Sequence, residues 1–434
     1  MDLRAADGVA LRFHAYIEHL SKALGHADRH VPLAEYCTGL LLPGERKSVE
    51  PMAARMAPSE VGAKHQSLHH FVAKAPWDET KVLASVRSFV LPIMQKVAPI
   101  RAWIVDDTGI PKKGKHSVGV ARQYCGELGK QDNCQVAVTL SVAHDQASLP
   151  IACRLYLPQT WAEDEAQREK AGVPDEIAFA TKPRIALEQI ERAIDDGVPE
   201  GIVLADAGYG NDTAFRSGVS ALGLVYVVGV QGSTAVWAPG TAPLPARKWS
   251  GQGRPTKLLG RDDKVKPIKV SDLARTLPRK AWKTVRWREG SAGDLVGRFA
   301  AVRVRPSHRD YWRAEPWPEE WLLIEWPEGE KKPAKYWFAT LPANTNLSKL
   351  VDAAKLRWRI ERDFQDLKQE IGLDHYEGRG WRGFHHHAAL SIAAYGFLVA
   401  ERSPIPPSAS FVRAFGGKIP APQEGYRPRG AAEA

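Results

Sequence analysis

Residues 102–109 read AWIVDDTG: four apolar residues run directly into two acids. A short apolar run bounded by polar residues suits a buried strand. A carboxylate at its end is costly to bury unless it is paired or bound to a metal. The pattern recurs at residues 201–210, GIVLADAGYG, where a second buried strand stops at Asp206. Strand ends in open α/β sheets project side chains into the crevice where such folds bind ligands.

The surrounding sequence supplies the rest of a sheet. Residues 135–143 (QVAVTLSVA) alternate like a strand, residues 151–157 (IACRLYL) form another, and HDQASLP between them has hairpin character. An amphipathic helix is predicted over 182–196, a short helix over 213–222 and a strand over 222–230. Three meandering strands followed by alternating helix and strand imply a mixed sheet. Residues 1–98 read as helical, with Val9, Phe13, Tyr16, Ile17, Leu20 and Leu24 at helical spacing, and again Val82, Leu83, Val86, Phe89, Val90 and Ile93. The shorter helical pieces between them, with Arg46, Lys47, Lys64 and His65, suit a helix-turn-helix-like DNA module. The competing reading is a plain helical bundle with a solvated basic face.

Composition bounds the function. The 434 residues carry 60 Lys and Arg against 50 Asp and Glu, a formal charge of +10, which favours a polyanionic partner. With 44% hydrophobic residues, wholesale disorder is excluded. No apolar run reaches the ~18 residues of a membrane span. The N-terminus is broken by charges and lacks a signal-peptide core. Cys37, Cys125, Cys134 and Cys153 share no CxxC spacing, so a disulfide framework and a zinc ribbon are disfavoured and a reduced, cytosolic chain is expected. Fourteen tryptophans are unevenly spread: nine (Trp237, Trp249, Trp282, Trp287, Trp312, Trp317, Trp321, Trp326 and Trp337) fall within 231–340 and mark a strand-rich insertion.

A helix is predicted over 347–371, containing KLRWRIERDFQDLK at 355–368. Arg357, Glu361 and Lys368 lie within ~60° of one another at 100° per residue. Ile360, Phe364, Leu367 and Ile371 form an adjacent apolar stripe. An isolated i,i+4 Arg–Glu pair is commonly a surface salt bridge, and the Arg362–Asp366 pair is expected to be solvated. Two strand-end aspartates and a helical glutamate form a hard oxygen set suited to Mg²⁺ or Mn²⁺. Two such ions ~3.5–4 Å apart activate an attacking oxygen and stabilise a leaving one at phosphorus, with flanking cations to hold the phosphate backbone.

The strand–strand–strand–helix–strand order with Asp, Asp and Glu resembles the RNase H-like fold of DDE transposases, more narrowly the cut-and-paste transposases of bacterial insertion sequences. That group carries a Y-x2-R-x3-E-x6-K pattern. Arg357, Glu361 and Lys368 match its last three positions, while Ala354 stands at the tyrosine position. Asp106 lies 100 residues before Asp206, and Asp206 lies 155 before Glu361, which fits a glutamate displaced by an insertion. The segments DDTGIPKKGKHSVGVARQYCGELGKQDNCQVAV and RWRIERDFQDLKQEIGLDHYEGRGWRGFHHHAAL are similar to that family over whole stretches, and the resemblance covers roughly residues 35–400.

The resemblance implies an α/β fold: an RNase H-like mixed sheet flanked by helices, interrupted by a β-rich insertion and preceded by a helical N-terminal domain. The implied organisation is 1–98 helical and DNA-binding, 99–230 the first part of the catalytic domain, 231–340 the β-rich insertion, 341–402 the second catalytic part and 403–434 a Pro- and Gly-rich tail. The implied catalytic and metal-binding residues are Asp106, Asp206 and Glu361, with two Mg²⁺ or Mn²⁺ ions. A D-x-T register selects Asp106, and a register with the aspartate directly before Thr108 selects Asp107; adjacent strand residues face opposite sides, so one of the two points at the metals. Arg357, Lys368, Lys112, Lys113, Lys115, Arg122, Arg46 and Lys47 are candidate DNA contacts. Trp282, Trp287 and Trp312 are candidates for stacking on a flipped base, against packing of the insertion's own core. Three successive histidines, His385 to His387, diverge by 100° per residue and are expected to serve the core or a phosphate, not a zinc ion.

The function implied is metal-dependent cleavage at transposon ends and strand transfer into target DNA. The partners are terminal inverted repeats, target DNA and a second copy of the chain, in a bacterial cytoplasm and on the nucleoid when DNA is bound. The alternative is a domesticated DNA-binding protein that no longer cuts. A haloacid-dehalogenase reading fails because its two aspartates stand two apart, and AGYGND lacks the glycine spacing of a dinucleotide site.

Overall fold

The structure is a computed structural model that describes residues 3–248, 251–252, 257–262, 264–290 and 293–403. The tail beyond 403 and Trp249 lie outside the described residues. The chain is mixed α/β. Its helices are α1 (Leu3–Ser21), α2 (His30–Leu41), α3 (Val49–Met56), α4 (Val61–Ala73), α5 (Glu79–Val97), α6 (Gln159–Ala162), α7 (Glu165–Ala171), α8 (Lys182–Asp195), α9 (Ala207–Gly210), α10 (Thr213–Ala221), α11 (Val270–Thr276), α12 (Leu347–Lys355), α13 (Trp358–Gln365) and α14 (Trp381–Arg402). Its strands are β1 (Ala102–Pro111), β2 (Ala121–Cys125), β3 (Lys130–Ala143), β4 (Ser148–Leu155), β5 (Ile202–Ala205), β6 (Tyr226–Val230), β7 (Ala235–Trp237), β8 (Ile268–Lys269), β9 (Lys283–Gly290), β10 (Gly293–Pro306), β11 (Glu320–Trp326) and β12 (Lys335–Ala339). Two compact units result, one of Met1–Ile100, Asp107–Thr181 and Arg359–Ala434, the other of Arg101–Asp106 and Lys182–Trp358.

In the first unit β4 pairs with β3, and β3 neighbours β1. In the second, β1 pairs parallel with β5 and β5 parallel with β6. This strand order, three meandering strands and then two parallel additions, is that of an RNase H-like sheet. Strand β2, for which the sequence pattern gives no signal, pairs antiparallel with the start of β3 and places Arg122 opposite Asn133. Its five residues, ARQYC, carry no alternating apolar pattern because Arg122 and Tyr124 both face solvent.

The first unit is built around α14, which packs against α2, α4, α5 and β4. A helix apolar on every side must be buried, and nearly every residue from Trp381 to Ala400 is. The three histidines are part of this core. His387 accepts from the Tyr36 hydroxyl at Nδ1 (2.9 Å) and donates from Nε2 to Gly372 O (3.0 Å). His385 donates from Nδ1 to Trp381 O (3.0 Å) and accepts the Leu155 N–H at Nε2 (3.2 Å). Each arrangement needs the neutral ring. Burial pushes both imidazoles down to about 4. The unfolded chain therefore binds protons between pH ~6.5 and 4 that the native chain refuses, and stability falls as pH drops through that window, by up to about 3 kcal/mol per histidine. Denaturant midpoints measured at pH 7 and pH 4.5 should fall steeply for the parent and less steeply for His387→Gln. An identical pH slope in the variant would refute the neutral-ring assignment.

In the second unit the insertion continues the sheet. β12 pairs antiparallel with β6, and β11, β10, β7 and β8 follow in antiparallel order, with β9 also on β10. Its tryptophans are explained by arginines. The directly cross-strand pairs Arg298–Trp326 and Arg303–Trp321 place the guanidinium over the ring at 4.5 and 5.1 Å, and Arg313 lies 3.7 Å above Trp317. Planar Arg–aromatic stacking shields both partners on a sheet face that bulk apolar packing does not cover. Trp237 is fully buried and donates to Asp310 Oδ2 at 2.6 Å.

Candidate active site

In the second unit, β1 and β5 run parallel with Ala102 opposite Ile202 and Ile104 opposite Leu204. Asp106 and Asp206 each lie two residues beyond that last pair, at matching positions on neighbouring strands. Adjacent strands run ~4.8 Å apart, so the register carries the two acids to neighbouring positions, Asp106 within β1 and Asp206 just past the end of β5. Asp107, one residue on, alternates to the opposite face and belongs to the first unit.

Local chemistry fixes both acids. Asp206 caps α9, its Oδ1 accepting from Gly208 N (2.8 Å) and Tyr209 N (3.4 Å). The turn that follows rests on bare β6 backbone: a Cβ on Gly210 would meet Gly229 O at 1.9 Å, and one on Gly229 would meet Ala207 N at 2.9 Å. The glycines of AGYG are therefore packing devices, not a nucleotide loop. Asp106 Oδ2 accepts from Arg357 Nη1 at 2.5 Å, in a pair 16% and 24% exposed.

The helix expected over 347–371 is three pieces. α12 ends at Lys355, where the Leu356 N–H is shared between Asp352 O (3.1 Å) and Ala353 O (3.2 Å). Arg357 occupies the break before α13. After Gln365 the chain widens into a π-helical turn, Asp366–Ile371, closed by Gly372 at φ 85°. A uniform 100° per residue therefore does not hold through Lys368. π-turns often occur at functional sites.

In the first unit, Glu361 is exposed on α13. Two residues on, Asp363 is fully buried, its Oδ1 accepting from Ser148 Oγ (2.5 Å) and Tyr395 OH (2.9 Å). Burial pushes its carboxyl up to about 6. Sequence reasoning missed it; the clue was an acid on the apolar side of the helix. Asp366 is also buried (4% side-chain exposure), so its 2.8 Å pair with Arg362 is half-buried where a solvated one was expected. Lys368 Nζ donates to Gly109 O (2.7 Å) and Glu127 Oε2 (2.5 Å).

The remaining cations divide by exposure. Arg46, Lys113, Lys115 and Arg122 are exposed, and Arg46 pairs with Glu377 at 2.5 Å. Lys47 is buried and its ammonium donates to Leu40 O and Glu370 O. Lys112 donates to Tyr376 O at 2.7 Å. Burial lowers both ammonium groups to about 8. Lys47 thus holds the π-turn itself and Lys112 the segment that follows it. Among the three tryptophan candidates, Trp282 is buried edge-on to Trp326, and Trp287 packs edge-on to Phe299. Trp312 is 62% exposed, with Arg309 5.4 Å above it.

Among the described residues, no three His, Cys, Asp or Glu side chains gather into a metal-holding group. The donor chemistry of Asp106 and Asp206 nonetheless suits a divalent cation: both offer hard carboxylate oxygens, one from within β1 and one from just past the end of β5. No helix among the described residues is long and apolar enough to cross a membrane.

An RNase H-like sheet with acids at matching positions on its two central parallel strands and just beyond defines a class of nucleic-acid-processing folds. The chain belongs to the DDE superfamily endonucleases, whose family model matches residues 19–294. The matched span includes Asp106 and Asp206 and ends before Glu361. The chain is also 32% identical over 200 residues to the probable transposase for insertion sequence element IS701 of Microchaete diplosiphon. That stretch is 46% of this chain and 49% of the relative, so the chain spans about half the length of the curated relative it matches.

Proposed function

We propose that this chain is the transposase of an insertion sequence, cutting DNA at the element's terminal inverted repeats and joining the ends to target DNA. The observation that carries the reading is the parallel register of β1 and β5, which sets Asp106 and Asp206 two residues beyond the same strand pair, within a chain of the DDE endonuclease family. Asp106, Asp206 and Glu361 would hold two Mg²⁺ or Mn²⁺ ions, with Glu361 assigned from its Arg357–Glu361–Lys368 spacing. Such ions, when bound, lower the pKa of an attacking water or hydroxyl and neutralise charge on a leaving oxygen.

The chain's own residues supply the rest. Arg357 balances the Asp106 charge and is placed to meet a phosphate oxygen. Lys368 supplies a second cation beyond Glu361. Exposed Arg46, Lys113, Lys115 and Arg122 contact the duplex backbone, a role that scales with salt. Lys47 keeps the π-turn in place and Lys112 the segment after it. Trp312, with Arg309 beside it, is the best placed of the three tryptophans to stack on an unpaired base. Two copies of the chain act together on paired ends, in the cytoplasm of a bacterium and on its nucleoid.

The test is incubation of the purified protein with duplexes carrying the inverted repeats that flank its reading frame, with and without Mg²⁺. Nicks at the repeat boundary that require the metal are expected. Tight, specific binding without any cleavage would overturn the reading in favour of an inactive DNA-binding protein.

A further inference from the structure

We infer that Lys355, through an aromatic cage built by the insertion, is a positioning residue for Arg357; this rests on the transposase reading only for its effect on cleavage. Lys355 is the last residue of α12. Its ammonium lies 4.6 Å from the Trp287 ring, 5.4 Å from Phe299 and 5.5 Å from Trp337. It donates to both oxygens of Glu325, at 2.7 and 2.8 Å. Glu325 is 6% exposed and Lys355 17%. The rings come from β9, β10 and β12 and the carboxylate from β11, so four strands of the insertion converge on one side chain.

The grip extends past the break. Arg288, the residue after Trp287, stacks 3.7 Å above Trp358. The residues two before and one after Arg357 are therefore both held by β9 and its neighbours. Arg357 lies between them, at the point where the Leu356 N–H is shared and the helix is interrupted. Its guanidinium then reaches Asp106 Oδ2 at 2.5 Å. All of these residues belong to the second unit. A cation in an aromatic cage with a buried carboxylate resists sliding along the helix axis: any shift of one turn would cost Glu325 both short bonds to Lys355 and leave it only Lys335 Nζ, 3.9 Å away. The insertion's tryptophans accordingly set the axial position of Arg357, a role distinct from contact with DNA.

The test compares Lys355→Met, Lys355→Arg and the double variant Lys355→Met with Glu325→Gln, the last removing the stranded charge so that folding is retained. On cognate end duplexes with Mg²⁺, the methionine variants should lose about 100-fold in cleavage rate at saturating DNA, as a misplaced positioning group does. Their Kd for the ends should stay unchanged, and Lys355→Arg should recover most of the rate. Hydrogen exchange of residues 350–358 provides a readout independent of cleavage: it should accelerate in both methionine variants and not in Lys355→Arg. If exchange stays at the parent level in the double variant, the inference fails, whatever the protein cleaves. If arginine and methionine impair equally, or if rate and affinity fall in proportion, the role is structural support alone and the inference again fails. If exchange responds as expected while the parent cuts no DNA, the transposase reading fails and the positioning role stands.

Discussion

Asp206→Asn should bind the transposon ends as tightly as the parent while cutting them at least ~10³-fold more slowly, a loss of about 4 kcal/mol of transition-state stabilisation. The substitution is nearly isosteric, and its amide oxygen still caps α9 through Gly208 N and Tyr209 N, so the fold is spared. What disappears is one negative charge opposite Asp106. Asp106→Asn should act alike and in addition loosen Arg357, whose guanidinium it would no longer hold as an ion pair. Asp107→Asn is the control. It stands one residue out of register with Asp206, on the other face of β1, and should retain cleavage within a few-fold of the parent, a bound of about 1 kcal/mol. Single-turnover nicking of end duplexes, paired with a binding assay in Ca²⁺, separates the three. Loss with Asp107→Asn and retention with Asp106→Asn would reverse the assignment.

Gly210→Ala should be the most disruptive single-methyl change near the site. The added carbon would fall 1.9 Å from Gly229 O. That neighbour is sheet backbone and cannot rotate away. Overpacking of this kind costs about 3 kcal/mol, and the relief it forces is a shift of the α9 turn that Asp206 caps. Stability and cleavage should therefore fall together, in contrast to Asp206→Asn, where cleavage falls alone. Thermal unfolding of Gly210→Ala beside Gly208→Ala gives the comparison: at Gly208 the nearest contact is the side chain of Asp206 at 3.0 Å, which can give way. Equal Tm values for parent and Gly210→Ala would contradict the close packing of the turn on β6.

Much of the fold was readable because its key strands open on continuous apolar runs. GIVLA ends at Asp206 as expected, whereas β1 continues through Asp106 and Asp107 to Pro111, so the first acid lies within its strand and not at its end. α8 and α10 were equally plain from their apolar periodicity. β2 was not, since ARQYC offers only Cys125 as a buried residue and its pairing depends on β3. The helix over 347–371 was misread as continuous because periodicity registers which residues are apolar, not whether a backbone N–H is shared or a turn is widened. Those breaks are set by tertiary partners: Glu325 and the aromatic rings for Lys355, Asp106 for Arg357, Gly109 O for Lys368. The tryptophan excess marked the insertion correctly, yet its reason, pairing with arginines and caging of a lysine, depends on strand register that no single-sequence pattern records. Lys47 and Lys112 show the converse. A basic residue in a loop looks like a surface cation until main-chain carbonyls are found around its ammonium.

The carboxylate that closes the proposed set, Glu361, lies beyond the span matched by the family model. The decisive measurement is single-turnover cleavage of the cognate end duplex by Glu361→Gln in saturating Mg²⁺. Glu361 is exposed, so glutamine leaves folding and end binding intact. The account expects nicking to fall by ~10³-fold or more, with unchanged Kd and Tm. Cleavage at the parental rate would contradict the three-carboxylate assignment and with it the mechanism.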